Sequence, residues 1–532
     1  VMSESFLQYG KKHPENMTIP LFRSMYLDEV LKNHDQIQLS ENRQYKELLL
    51  NMDYALDNDY PVPESLKALL RPYQVEGFRW IKTLKQCGFG GILADDMGLG
   101  KTLQTLAFLL SEKRDGKTGD ALRTLIITPA SLVYNWKKEI ARFTPELTCK
   151  VLTGTAAARQ ELIGPDNDAD IWITSYDLLK RDIALYEDII FANQIIDEAQ
   201  YIKNHATQAS KAVRLIQSNF RLALTGTPIE NQLSELWSIF DYLMPGFLYN
   251  YPTFKNRYES AIVNDQDKET SDRLRRLVHP FILRRLKKDV LKELPDKIEK
   301  VVSVHLEGEQ KKLYDAYAQR LKLYLAKQSP EEFRQSKLEI LKELTRLRQL
   351  CCGPSLFLEH YHGENAKLDT CMELVKQAIE NGHKILLFSQ FTSVLDELQK
   401  AFKHEQIKSH RIDGGVSKEE RIRLTESFAT DDTPVFCISL KAGGTGLNLT
   451  AADIVIHYDP WWNVAAQNQA TDRTHRIGQK NVVTVYELIA EATIEEQILN
   501  LQKAKSDLVE EILSGDGIRS TVLNRDELLQ ML

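Results

Sequence analysis

From Arg71 onward, short apolar runs alternate with segments of helical period. The first series is GGILA (90–94), TLIITP (124–129), DIWITS (170–175), QIIDEA (194–199) and RLALTG (221–226). Runs this short, bounded by Gly, Pro, Ser or Asp, predict buried parallel strands, and the stretches between them predict crossover helices. From roughly 230 to 365 the strand signal almost vanishes, and charged helical turns such as EFRQSKLEILKELTRLRQL take over. A second series follows: KILLFSQF (384–391), VFCISL (435–440), DIVIHYD (453–459) and VVTVYELIA (482–490). Residues 1 to 60 are charged and weakly periodic, the last forty return to charged helix, and no low-complexity tract or short tandem repeat interrupts them. The pattern predicts α/β, helical insert, α/β, with two similar parallel sheets. Its boundaries are a helical preamble at 1–65, a first lobe at 66–229, helical insertions and an interlobe linker at 230–365, a second lobe at 366–495 and a helical brace at 496–532.

Length and composition narrow this picture. At 532 residues the chain exceeds the roughly 250–300 residues that one core sustains, so at least two domains are expected. A composition 43% hydrophobic and 27% charged is globular. No run approaches the ~18 apolar residues of a membrane span, and VMSESFLQYGKK has no apolar signal core, so no membrane partner is expected. Val ahead of Met2 reads as the edge of a longer chain. Six cysteines without a CxxC pair predict neither a disulfide scaffold nor a zinc site, and fit a reducing cytosolic compartment. With 68 Lys and Arg against 75 Asp and Glu the net charge is −7, so any nucleic-acid surface must be a local basic patch.

The candidate chemistry starts after GGILA, where Asp95-Asp96-Met97-Gly98-Leu99-Gly100-Lys101-Thr102 runs into the helical LQTLAFLLSEK. In GxxxxGK[ST] loops, backbone N–H groups cradle phosphates, Lys neutralises the terminal ones and Ser or Thr ligates Mg²⁺. Here the first Gly is Asp95, while GxGKT, the preceding strand and the following helix are in place. The bland reading is a glycine turn before an ordinary helix. QIIDEAQ ends an apolar run in Asp197 and Glu198, placed to hold the Mg²⁺ shell and to polarise the attacking water, respectively. A solvated acidic turn is the alternative, though two such motifs in one chain argue against coincidence. In Gln469-Ala470-Thr471-Asp472-Arg473-Thr474-His475-Arg476-Ile477-Gly478-Gln479, Arg473 and Arg476 stand three apart, so one helical turn would aim both at developing phosphoryl charge. A solvated basic helix face is the competing reading.

Together with Gln74 in LRPYQVEGFRW, TPASLVYNW, ITSYD, LTGTPIEN, FILRRLKKDV, LLFSQF, RIDGGV, SLKAGGTGLNLTAAD and HYDPWWN, these motifs resemble a Swi/Snf-type ATPase of the superfamily-two helicases and translocases. The resemblance runs from about Leu66 to Leu501. It implies two RecA-like lobes of the P-loop NTPase class around an ATP cleft, helical insertions, ATP and Mg²⁺ as cofactors, and translocation along double-stranded DNA without strand separation. By the same resemblance Gln74 reads the adenine edge, the loop from Asp95 to Thr102 and Gly446 bind nucleotide, and Thr225, Thr227 and Gln469 couple ATP state to DNA grip. Asp95 in place of the first Gly is usual for the family, and Gln200 stands where His is commoner.

A motor tracking a strand should hold phosphates with hydroxyls, amides and point charges. Thr174 and Ser175, Ser389 and Gln390, and Ser439, Lys441 and Thr445 follow strands at the edge where open α/β sheets bind ligands. Each alone is more often a cap or turn, but three at equivalent edges in both lobes argue for contacts. The cluster Arg284-Arg285-x-Lys287-Lys288 reads as a DNA contact or a solvated helix face. Trp461-Trp462 reads as packing, Cys351-Cys352 as a core helix reaching its Pro stop rather than a metal site with His360 and His362, and His475 as a structural hydrogen-bonding residue. The expected protein is a monomeric, DNA-stimulated ATPase that remodels or displaces a DNA-bound protein. Its rivals are a duplex-unwinding helicase and a non-hydrolysing ATP-bound scaffold, and Glu198 with the arginines argues against the latter. A prokaryotic source is favoured, with a nuclear site if eukaryotic, and a missing N-terminal part is expected to select the target.

Overall fold

A computed structural model describes residues 60–500, apart from 116–121, 165–166, 227–231, 264–266, 292–294, 359, 362, 444–448, 462–463 and 477, together with positions 43 and 529. The described chain divides into two units, with the main boundary between Leu286 and Lys287.

The first unit is built on strands β1 (Gly91–Leu93), β2 (Thr124–Thr128), β3 (Cys149–Val151), β4 (Ile171–Ser175), β5 (Ile190–Phe191), β6 (Asn193–Asp197), β7 (Gln217–Ser218), β8 (Arg221–Leu224) and β9 (Ile282–Leu283). Seven form a sheet in the order β3-β4-β2-β6-β8-β1-β9, with every pairing parallel, while β5 and β7 pair separately. All five residues of β2 and of β4 are buried, the signature of strands covered on both faces. Parallel neighbours require crossovers, and helices Lys101–Asp115 and Val133–Phe143 supply them. The second buries Val133, Trp136 and Ile140, spaced three and four apart on one stripe. Because β6, β8 and β1 are adjacent, the loops leaving their C-terminal ends emerge side by side. These are the acidic motif, the Thr225 motif and the phosphate loop.

The second unit carries β10 (Lys297–Val304), β11 (Ile385–Ser389), β12 (Ser409–Ile412), β13 (Val435–Ser439), β14 (Ile454–His457) and β15 (Val483–Ala490), in the all-parallel order β10-β15-β14-β11-β13-β12. Along β11, Ile385 and Leu387 enter one apolar core with Val375, Leu398 and Phe402. Leu386 and Phe388 enter the core on the other face with Phe428, Phe436 and Val455. This is the two-residue period of a strand buried on both sides. A third core joins helices Gly308–Lys327 and Lys337–Cys352 through Tyr314, Leu321 and Leu347 to Ile494 and Ile498.

The segment 230–365 is shared between the units. Helices Leu233–Leu243 and Lys268–Val278 and strand β9 stay with the first, whereas β10 and the two long helices join the second. Most of β10 is exposed, since it is an edge strand paired only with β15. Among the described residues no helix is long and apolar enough to cross a membrane.

Candidate nucleotide site and arginine segment

The phosphate loop leaves β1 and enters helix Lys101–Asp115 through two residues with positive φ, Gly98 at 85° and Gly100 at 77°. The positive φ favours glycine at Gly100, where a Cβ would also stand 2.4 Å from Gln74 Nε2 and displace that amide. Buried Gln74 accepts Arg71 N–H at 2.9 Å through its amide oxygen, which closes a capping box at the start of the helix Pro72–Gln86. Lys101 Nζ donates to the loop carbonyls of Asp95 at 2.6 Å and Asp96 at 3.4 Å. Thr102 follows in the first turn of the helix. Asp95 turns its fully buried side chain inward, where Gln104 Nε2 donates to it at 3.0 Å and Arg285 Nε at 2.9 Å. The carboxylate in the place of the pattern's first glycine therefore serves the loop's foundation, while its main-chain carbonyl faces Lys101.

The acidic motif follows β6. Asp197 accepts Trp136 Nε1–H at 2.8 Å and Glu198 N–H at 2.9 Å, while Tyr176 Oη donates to its carbonyl at 2.9 Å. Burial and then the charge of Glu198 push the Asp197 carboxyl up to about 7, against the pull of the Trp136 bond and Lys101. Glu198 has φ 53°, a left-handed conformation that costs a non-glycine residue on the order of 1–3 kcal/mol and recurs at functional sites. Its Oε2 accepts Gln200 Nε2–H at 2.7 Å, and Gln200 Oε1 accepts Thr225 Oγ1–H at 3.0 Å. The carboxylate assigned to water is thus wired through one amide to the hydroxyl assigned to coupling. A buried Asp197 carboxylate held beside Glu198 is a hard-oxygen donor set whose charge a divalent cation would offset, so the residues fit Mg²⁺.

In the second unit the helix Val464–Thr471 ends before the arginines. Asp472 N–H bonds Asn468 at 2.8 Å over four residues and His475 N–H bonds Thr471 at 3.3 Å over the same span, while Arg473, Thr474 and Arg476 make turns of three- and two-residue span. The single helical turn expected to align Arg473 with Arg476 is therefore replaced by tight turns. Gln479 fixes them, its Nε2 donating to the carbonyls of Thr450, Ala452 and Thr474 at 2.8–3.3 Å and its Oε1 accepting from Lys480 and Asn481 N–H. His475 bonds the Pro295 carbonyl at 2.8 Å through Nε2, in keeping with a structural role. Gln469 lies on the preceding helix.

The strand-end groups occupy the edges foreseen for them, and several are already engaged. Ser389 and Ser439 are register partners on β11 and β13. Ser389 Oγ donates to Asp459 at 2.6 Å, as does Gln390 Nε2 at 2.5 Å, and Arg348 Nη1 donates to Gln390 Oε1 at 3.0 Å. Thr174 is buried, and Ser175 caps the helix Tyr176–Asp182 by accepting Leu178 N–H at 3.3 Å. Lys441 is the second residue of the short helix Leu440–Gly443 after β13. Thr227, Thr445, Gly446 and Trp462 lie outside the described residues. Trp461 packs on a core, and Cys351 and Cys352 are buried at the end of their helix.

The SNF2-related domain matches residues 73–356, and the helicase conserved C-terminal domain matches 366–478. The chain belongs to the SNF2-related family. An uncharacterized ATP-dependent helicase of Mycoplasma pneumoniae is 42% identical to this SNF2-related chain over 87% of its length and 44% of the relative's. A putative ATP-dependent helicase/translocase of Bacillus subtilis, YwqA, is 37% identical over 90% and 53%. The TATA-binding protein-associated factor MOT1 of Saccharomyces cerevisiae is 33% identical over 93% and 30%. The chain spans about half or less of the length of these curated relatives. Among solved structures, the Sulfolobus solfataricus SWI2/SNF2 ATPase core in complex with dsDNA is 36% identical, with 86% of this chain and 96% of that one covered at a TM-score of 0.44.

Four residues of the SNF2-related chain gain a place that sequence reasoning did not give them: Trp136 on Asp197, Gln104 and Arg285 on Asp95, and Gln479 under the arginine segment. Three of them sit inside motifs quoted for the resemblance. Gln104 lies on a helix buried almost throughout, where a polar side chain needs a partner, and that was its signal.

Proposed function

We propose that the chain is an ATP-hydrolysing motor that translocates on double-stranded DNA to remodel or displace bound protein, without separating the strands. The observation that carries this reading is the Glu198–Gln200–Thr225 relay, which joins the water-polarising carboxylate to the coupling motif at the ends of neighbouring strands. A static ATP-binding scaffold has no use for such wiring.

The residue roles belong to the same proposal. Gln74 and the loop from Asp95 to Thr102 hold nucleotide, and Lys101 exchanges its two loop carbonyls for the terminal phosphate. Thr102 and Asp197 would hold Mg²⁺, which when bound supplies positive charge to the phosphates. Glu198, oriented by Gln200, polarises the attacking water and accepts its proton. Arg473 and Arg476 stabilise the charge that develops on the transferred group. Gly446 completes the nucleotide set, and Thr225, Thr227 and Gln469 transmit its state. DNA phosphates are assigned to the strand-end loops bearing Thr174, Ser175, Ser389, Gln390, Ser439, Lys441 and Thr445, with Ser389 and Gln390 shaped by Asp459. The names of the relatives, two ATP-dependent helicases and a factor associated with a DNA-binding protein, agree with a motor that acts on protein bound to DNA. Bacterial relatives support a bacterial cytoplasm as the setting, and the working unit in this reading is a single chain.

Steady-state ATPase measurements with and without duplex DNA, run beside strand displacement from a partial duplex, test the reading. Turnover stimulated by duplex with no released strand is expected. Released strand establishes an unwinding helicase instead, and nucleotide binding without turnover establishes the scaffold.

A further inference from the structure

The basic run in FILRRLKKDV reads from sequence as a DNA contact or a solvated face, and two of its members are neither. The Arg285 side chain is 11% exposed and the Lys287 side chain 7%. Arg285 forks onto Asp95, with Nε to Oδ1 at 2.9 Å and Nη2 to Oδ2 at 2.5 Å. Nη2 also reaches Gln104 Oε1 at 2.7 Å, and Nη1 donates to the Tyr73 carbonyl. The main chain is zipped to the same loop: Ala94 N–H donates to the Leu283 carbonyl at 2.7 Å and Asp96 N–H to that of Arg285 at 3.0 Å. Every residue in this set belongs to the first unit.

Two positions later the allegiance changes. Lys287 Nζ donates to Asp472 Oδ1 at 2.7 Å and to the His475 carbonyl at 2.5 Å, on the segment that carries Arg473 and Arg476. These residues all belong to the second unit. Only Leu286 separates the two anchors, and two residues of extended chain span at most about 7 Å. The ends also differ in kind. A bidentate guanidinium on a buried carboxylate fixes orientation as well as distance, whereas an ammonium on a flexible stem keeps its bonds while it swivels. One end clamps and the other pivots.

We propose that Arg285-Leu286-Lys287 is a covalent tether that couples the phosphate loop to the arginine segment, with Arg285 and Lys287 as positioning residues for ATP hydrolysis. The proposal rests on the motor reading above. Insertion of two glycines between Leu286 and Lys287 tests it, since this lengthens the tether by about 7 Å and leaves every anchoring side chain in place. In the full chain, nucleotide affinity without DNA and Tm should match the parent, KM should hold, and DNA-stimulated kcat should fall about tenfold or more, the scale of an ordinary coupling energy. A merely structural segment would lower Tm and leave kcat per folded molecule unchanged. Should the insertion depress Tm, Lys287→Met is measured at a temperature where it is folded, with the same fall in kcat at constant KM expected. Parent-like kcat in the folded variant overturns the tether alone. A parent chain without DNA-stimulated turnover overturns the motor reading, and the tether with it.

Discussion

Replacing Gln200 with alanine should slow turnover without weakening nucleotide binding. Gln200 Nε2 donates to Glu198 Oε2 at 2.7 Å, a bond to a charged acceptor of the kind worth about 1.5–3 kcal/mol net. If the bond holds Glu198 where it meets the attacking water, its loss appears in the transition state. At 1.36 kcal/mol per decade, that is roughly a ten- to hundredfold fall in kcat. KM should stay, because the bonds of Gln200 run to Glu198 and Thr225 rather than to the residues proposed to hold nucleotide. Thr225→Val breaks the outer link, a neutral bond of 3.0 Å worth about 0.5–1.5 kcal/mol, and should cost several-fold. Since the two bonds share one amide, the double variant should be no slower than Gln200→Ala alone. Single-turnover and steady-state rates at saturating duplex DNA measure all three. A Gln200→Ala rate within twofold of the parent, or a defect confined to KM, would refute the relay.

Two further outcomes follow from the packing. A Cβ on Gly77 would lie 1.8 Å from Gln104 Oε1 and 2.8 Å from Arg285 Nη2, so Gly77→Ala should cost about 1–3 kcal/mol in urea unfolding and also weaken nucleotide binding; an unchanged midpoint would show that this network yields freely. Burial, with the charge of Lys297 adding to it, pushes the His457 imidazole down to about 3, below its unfolded value near 6.5. The neutral form is therefore favoured by folding, so this contribution is complete above pH 6.5 and is lost as pH falls from 6.5 toward 3, at about 1.4 kcal/mol per unit. Between pH 7 and 5 the parent should lose about 2 kcal/mol more than His457→Gln, and parallel losses in denaturant titrations would contradict this.

The central strands were legible in the sequence because each is short, apolar and buried on both faces: TLIIT, IWITS, ILLFS and VFCIS coincide with β2, β4, β11 and β13. The edges were not. β3, β9, β10 and β12 each have one neighbour, so KIEKVVSV keeps its charges in water and looks like the helices around it. The place of the candidate site was legible where a motif follows a buried strand, as at Lys101, Asp197 and Glu198. Arg285 was not, because a buried arginine and a solvated one have the same one-letter code, and only the fold brings it to Asp95 from 190 positions away.

The pairing of β10 with β15 also bears on how the second unit is made. These are its first and last strands, matched over eight residues from Lys297↔Val483 to Val304↔Ala490, with the rest of the sheet encoded between them. Contacts of such sequence separation form late, because the intervening loop must close first. During synthesis the ribosome must release residue 490 before β10 finds its partner and β14 loses its bare edge. The first unit has no such wait beyond β9, a strand of two residues. The nascent chain therefore acquires its phosphate-loop unit early and carries an unfinished sheet behind it, and that interval is when it most needs a chaperone.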